Sequence, residues 1–182
     1  MAFQKRGDSG SSKISFDESP RLVSIEQLTE DVRQDLLGML NRGFKSSKDL
    51  RQRMLDLGHP MPIVDELIER FTEVGLIDDA IFAEVIVNNR RTRGRLSKSA
   101  IKRELIDKGV PAEIAESSLS EITDDDEFEQ AKELVLRRWS QVSRLDSATR
   151  YRRLSGFLSR KGYQHSVVSL AIRFVEQQEV KS

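Results

Sequence analysis

The sequence predicts an all-α protein: three tandem three-helix repeats forming an elongated, curved array. Three observations carry this reading. Apolar residues recur at helical spacing along most of the 182-residue chain. Helix starts (Ser, Asp) and helix stops (Gly) alternate at short intervals. Superposing Gly58, Gly109 and Gly162 exposes an internal repeat with a period of about 50 residues. Leu50, Ile101 and Leu154 precede these glycines at one offset, and Met54, Leu105 and Leu158 at a second. Ile63, Ile114 and Val167 follow at a third, and Ile68, Leu119 and Ile172 at a fourth.

Each element follows in order. Residues 1–22 are rich in Ser, Gly and charge without apolar periodicity and read as a disordered tail. Repeat 1 (23–76) opens with Ser24 as cap and Gln27 as its capping-box partner, followed by the stripe Leu28, Val32, Leu36 and Leu40. Its second helix starts at Ser46-Ser47, with Asp49 as reciprocal cap. It carries Leu50, Met54 and Leu57 and stops at Gly58. Pro60 and Pro62 turn the corner into a third helix with Ile63, Leu67, Phe71 and Val74, ended by Gly75.

Repeat 2 (77–123) begins at Asp78 or Asp79. Phe82, Val85, Ile86 and Asn89 follow, with a break expected at Gly94. Ser97 caps a helix bearing Ile101, Leu105 and Ile106, and Pro111 opens another with Ile114, Leu119 and Ile122. Repeat 3 (124–178) starts at Asp124 or Asp125, with Phe128, Ala131, Val135 and Trp139 on one face. Leu154, Phe157 and Leu158 come next, then Val167, Ala171, Ile172 and Phe174.

Composition narrows the function. Charged residues make up 33% and aromatics 6%, which suits amphipathic helices better than strands. Cysteine is absent, so thiolate chemistry and disulfides are excluded. No apolar run approaches the roughly 20 residues of a membrane span, and the N-terminus has no signal-peptide core, so a cytoplasmic protein is expected. His59 and His165 lack metal-ligand spacing and read as corner residues. The acidic pair Asp78-Asp79 and the run Asp124–Asp126 precede apolar helices, where carboxylates cap free N–H groups. No P-loop, GxGxxG or nucleophile elbow is present. The expectation is therefore no catalytic residue, no metal and no cofactor. Trp139 is expected in the core or at a repeat junction.

The net charge is zero, but it is segregated: Glu113–Glu133 is acidic, while two stretches are basic. The first holds Arg90, Arg91, Arg93, Arg95, Lys98, Lys102 and Arg103. The second holds Arg137, Arg138, Arg150, Arg152, Arg153, Arg160 and Lys161. Arginine dominates, and its planar fork suits carboxylate or phosphate. These residues are the candidate surface for a protein partner or for nucleic-acid phosphates.

The stretches GLIDDAIFAE, RRTRG and IKRELIDKGVP, with the later Gly162-Tyr163, resemble the RecX regulatory proteins, strongly in the middle repeat and more weakly over about residues 25–178. The resemblance implies tandem three-helix repeats. It also implies a non-catalytic regulator that binds RecA recombinase in the groove of its DNA filament and limits filament assembly, strand exchange and ATPase activity, within recombination, DNA repair and the SOS response; a monomer is expected. The basic residues are inferred from charge alone. Two other readings are a helical module that binds single- or double-stranded DNA directly, independently of RecA, and an enzyme.

Overall fold

The structure is a computed structural model and describes residues 24–179; the expected tail at 1–22 lies outside the described residues. Nine α-helices are found among them, and no strand: α1 (Ile25–Leu40), α2 (Ser47–Asp56), α3 (Met61–Glu73), α4 (Asp79–Asn89), α5 (Lys98–Asp107), α6 (Ala112–Ser118), α7 (Asp124–Val142), α8 (Ser147–Arg160) and α9 (His165–Glu179). None of the described helices is long and apolar enough to cross a membrane.

The apolar residues sort into three separate cores. One gathers Val32, Leu36, Leu50, Met54, Val64 and Ile68 from α1–α3. The second gathers Phe82, Val87, Ile101, Leu105, Ala115 and Leu119 from α4–α6. The third gathers Leu134, Val135, Leu154, Leu158, Val168 and Ile172 from α7–α9. The glycine register explains this regularity. Residues at the two upstream offsets and the far downstream one lie at 3% exposure or less in all three repeats. Ile63, Ile114 and Val167, at the near downstream offset, are half-buried in all three. Buried at this level, a Leu or Ile side chain contributes about 2 kcal/mol or more to folding.

Local chemistry sets the helix ends, with several departures from expectation. Ser24, Ser46, Asp78, Ser97 and Asp146 each accept a backbone N–H in the first turn of the helix they open. At α7 the cap is Thr123, not Asp124 or Asp125; its hydroxyl accepts from the Asp126 N–H while Asp126 accepts in return. A hydroxyl outside the acidic run thus supplies the cap and leaves the run's first two carboxylates exposed. Asp49 does not close a box at α2; it pairs with Arg53 one turn on, at 2.9 Å. Leu57 and Val74, assigned to core faces, are 58% and 69% exposed because each sits at the C-terminal cap of its helix, past the buried stripe.

The break after α4 is also unlike the expected glycine stop. The helix widens into a π-helical turn, Arg90–Gly94, and the reversal is made by Arg95, the one described non-glycine residue with positive φ (50°). A left-handed arginine is costly, and such a conformation persists only where surrounding contacts hold it.

Candidate partner-binding surface

The contacts that hold Arg95 belong to a joint between repeats. Repeat 1 meets repeat 2 through the buried cap Ser46, whose Oγ donates to the Lys108 carbonyl at 2.5 Å. Asp79, one residue into α4, turns away from its own helix and accepts from the Ser47 N–H and Oγ at 2.8 and 2.7 Å. Repeat 2 meets repeat 3 the same way. The N–H of the buried cap Ser97 donates to the Lys161 carbonyl at 3.0 Å, and the Ser99 hydroxyl donates to the Gly162 carbonyl at 2.9 Å. Glu127, in the first turn of α7, takes the part of Asp79 and accepts the Lys98 N–H at 2.9 Å. In each joint, the N-terminus of one repeat's second helix therefore abuts the C-terminal cap of the next repeat's second helix. The orphan carbonyl at the end of one helix accepts from the cap of the other, from a hydroxyl in the first joint and an N–H in the second, supplemented by a carboxylate at the positive end of the dipole.

The arginine turn is built into the second joint. Arg91 donates to Glu127 and Gln130 at 3.0 and 2.9 Å, and Gln130 returns a bond to the Arg91 carbonyl at 3.0 Å. Arg95 reaches Glu133 at 2.8 Å. The buried Tyr163 hydroxyl donates to Gln130 at 2.7 Å and approaches the Arg95 carbonyl at 3.3 Å. Lys161 Nζ donates to the Gly94 carbonyl at 2.6 Å. Burial pushes the Lys161 amine below its usual range, reinforced by Arg95 and Arg138. Burial also raises the Glu127 carboxyl, against the N–H of Lys98 and the charge of Arg91.

The remaining candidates divide cleanly. Arg90 forks onto Glu104 at 2.7 and 2.6 Å. Lys98 Nζ donates to the Ile122 carbonyl at 2.9 Å, and Lys102 pairs with Glu116 at 2.6 Å. Arg150 bonds Glu176 at 2.9 Å, caps carbonyls of Ser143 and Leu145, and lies 5.1 Å over the half-buried Trp139 ring. Arg137 stands 3.7 Å from Glu133. Arg138 stacks on Phe157 at 4.0 Å. Arg93, Arg103, Arg152, Arg153 and Arg160 are exposed and pair with no carboxylate among the described residues. The structure thus separates cations that hold the array together from cations that face solvent. Sequence reading grouped all of them by charge, gave Ser46, Ser97 and Asp79 a helix-start role only, and missed the part of these three and of Glu127, Gln130 and Tyr163 in the joints. The serines carried a signal: both stand at one offset before Gly58 and Gly109.

A cleft of about 790 Å³ opens beside the second joint, walled by Lys98, Lys102, Glu116, Phe128, Val167 and Leu170. Among the described residues no group of His, Asp or Glu is placed to hold a metal ion. His59 Nε2 lies 2.8 Å from Asp35, and His165 Nε2 lies 3.3 Å from the Ser169 hydroxyl.

The Arg90 fork holds the Glu104 carboxyl below the usual carboxylate range, outweighing the opposite effect of burial. A carboxyl lowered on folding contributes stability above its unfolded pKa, and that contribution is lost as pH falls through the folded value. Glu104→Gln is therefore expected to cost about 1 kcal/mol at neutral pH, because the pair is partly exposed. It also makes the acid limb of stability against pH shallower. Denaturant titrations across the acid range check both.

These features define a class: a tandem three-helix-repeat protein with polar joints, offering surface rather than an enclosed pocket. The chain belongs to the RecX family. Family models described as "RecX, second three-helix domain" and "RecX, third three-helix domain" match residues 78–119 and 124–172. The chain is 33% identical over 171 residues to the regulatory protein RecX of Streptomyces coelicolor, covering 94% of this chain and 87% of that one. It is 35% identical over 154 residues to that of Amycolatopsis mediterranei, covering 85% and 88%. The crystal structure of RecX from Lactobacillus salivarius superposes with a TM-score of 0.76 at 20% identity, covering 84% of this chain and 99% of that one. A role in regulation, connected with recombination and repair, follows from this membership.

Proposed function

We propose that this protein binds RecA along its DNA filament and limits filament growth, strand exchange and the coupled ATPase, acting without catalysis, as a monomer, in the cytoplasm. Membership of the RecX family over most of the chain carries the reading. The architecture supports it: repeats joined end to end spread contacts over a long surface, which suits engagement of successive protomers of a filament better than enclosure of a small substrate. The solvent-facing cations Arg93, on the arginine turn, and Arg103, on α5, are the residues assigned to the acidic side of that contact. The units 23–76, 77–123 and 124–178 serve as its successive footholds.

Growth of labelled RecA filaments on single-stranded DNA, with and without the protein, tests the proposal. Slowed growth and reduced ATPase are expected; unchanged growth, lifetime and ATPase at stoichiometric excess would rule it out. The double variant Arg93→Ala/Arg103→Ala is expected to inhibit several-fold more weakly. Its unfolding midpoint should be unchanged, since neither side chain has a structural partner.

A further inference from the structure

The far end of repeat 3 carries a feature that the filament reading does not use. In repeats 1 and 2, the first turns of the second helix are the seat for the next repeat. A Cβ on Gly109 would strike the Lys48 side chain, and one on Gly162 would lie 2.5 Å from the Ala100 Cβ. In the glycine register, Ser99 and Ala100 of α5 correspond to Arg152 and Arg153 of α8. Among the described residues nothing is seated on the corresponding turn of α8, where these two arginines stand. They are exposed, and the small residues that would admit another repeat are missing.

Arg138 from α7 and Arg160 from the end of α8 complete the edge. The four guanidinium groups surround a depression of about 270 Å³ whose floor includes Val142, Leu154 and Gly156. No carboxylate lines the depression, and Asp146 is the only acid between Arg137 and Lys161. Stacking on Phe157 at 4.0 Å orients the Arg138 plane without consuming its N–H donors. Four like charges drawn together without internal neutralisation are costly unless an anion completes them.

We propose that this arginine edge of α7 and α8 is a phosphodiester-binding site that grips a nucleic-acid backbone independently of RecA. Two features of the edge favour a nucleic acid over an acidic protein segment. Its apolar residues, Val142 and Leu154, are buried, so the anchor pockets on which protein–protein interfaces depend are missing. Exposed guanidinium heads on two helices suit a polyanion with regularly spaced charge, and backbone contacts of this kind need no base readout.

The test is fluorescence anisotropy of labelled single-stranded and duplex oligonucleotides with the full chain and no RecA. Three proteins are compared: the wild type, R138Q/R152Q/R153Q/R160Q, and a control of equal charge, R33Q/R42Q/R53Q/R70Q, on repeat 1. The first variant is expected to bind about tenfold or more weakly at low salt. The slope of log K against log salt should become shallower by about 3, given roughly 0.7–0.9 per phosphate contact. The control should keep most of the wild-type affinity. Relative affinities for single strand and duplex identify the preferred form. Lack of binding by the wild type, or equal loss in both variants, would overturn the proposal. So would a loss confined to polyglutamate binding, which would assign the edge to an acidic protein. R152E alone, one exposed charge reversal with no partner to break, is expected to weaken binding with the unfolding midpoint unchanged; unaltered binding would count against the site. Because RecA is absent, failure here and failure of the filament proposal are read separately.

Discussion

Gly162→Ala is expected to lower stability by about 2–5 kcal/mol, whereas Gly58→Ala, at the equivalent position of repeat 1, should cost about 1–2 kcal/mol. Both glycines have positive φ, 88° and 86°, so both substitutions carry the same left-handed strain. They differ in what the new methyl group meets. At Gly58 nothing lies within 4 Å. At Gly162 the Cβ would stand 2.5 Å from Ala100 Cβ, 2.7 Å from Ser97 Oγ and 3.4 Å from the Ala100 Cα. The first of these is fixed to the Ala100 backbone and cannot rotate away, so the joint must open. Opening it would pull the Ser97 N–H and Ser99 hydroxyl off their carbonyls in buried or half-buried surroundings, which adds desolvation cost to steric cost. Denaturant titration of the two variants side by side isolates the joint, since their difference removes the shared backbone strain. Equal losses would show that the joint does not bear on stability.

Leu105→Ala is expected to cost a similar amount, about 2–5 kcal/mol. Leu105 is fully buried, on the middle helix of the middle repeat, among Phe82, Ile101, Ala115 and Leu119. The core of α4–α6 is small, so neighbouring side chains have little freedom to collapse into the space. Ile106, the next residue, is 39% exposed and serves as the comparison. Ile106→Ala should cost less than about 1 kcal/mol. A negligible shift for Leu105→Ala would contradict the repeat register itself, since Met54 and Leu158 occupy the same offset and are equally buried. Repeat 2 also has a neighbour on each side, so its loss deprives both of a seat.

Residues that act through helical periodicity were legible in the chain. The glycine register located the buried layers of all three cores because burial on a helix follows sequence spacing. Helix starts were mostly legible as well, since a cap acts within its own first turn. The joints were not. Arg91 finds Glu127 across 36 positions, and Arg95 finds Glu133 across 38, so their pairing depends on how two repeats dock. Glu127 sits in a run of exposed acids and looked like one more of them, yet it is buried at 8% exposure. Charge density alone therefore mixed two kinds of arginine. Arg91 and Arg95 neutralise carboxylates of a neighbouring repeat, while Arg152 and Arg153 pair with no carboxylate among the described residues. Only the fold tells which cations remain available to a partner.

The two joints share a design but not a strength. The first rests on Ser46, Ser47, Asp79 and the Lys108 carbonyl. The second adds Arg91, Arg95, Gln130, Lys161 and Tyr163 to the corresponding contacts. More bonds tie repeat 2 to repeat 3 than tie repeat 1 to repeat 2. The first joint is therefore expected to yield before the second, with repeat 1 turning about the Ser46–Lys108 contact against repeats 2 and 3. A partner that grips all three units would then meet a two-repeat platform plus a limb free to adjust its angle. Small differences in that partner's spacing would be taken up at a single joint, without repacking any of the three cores.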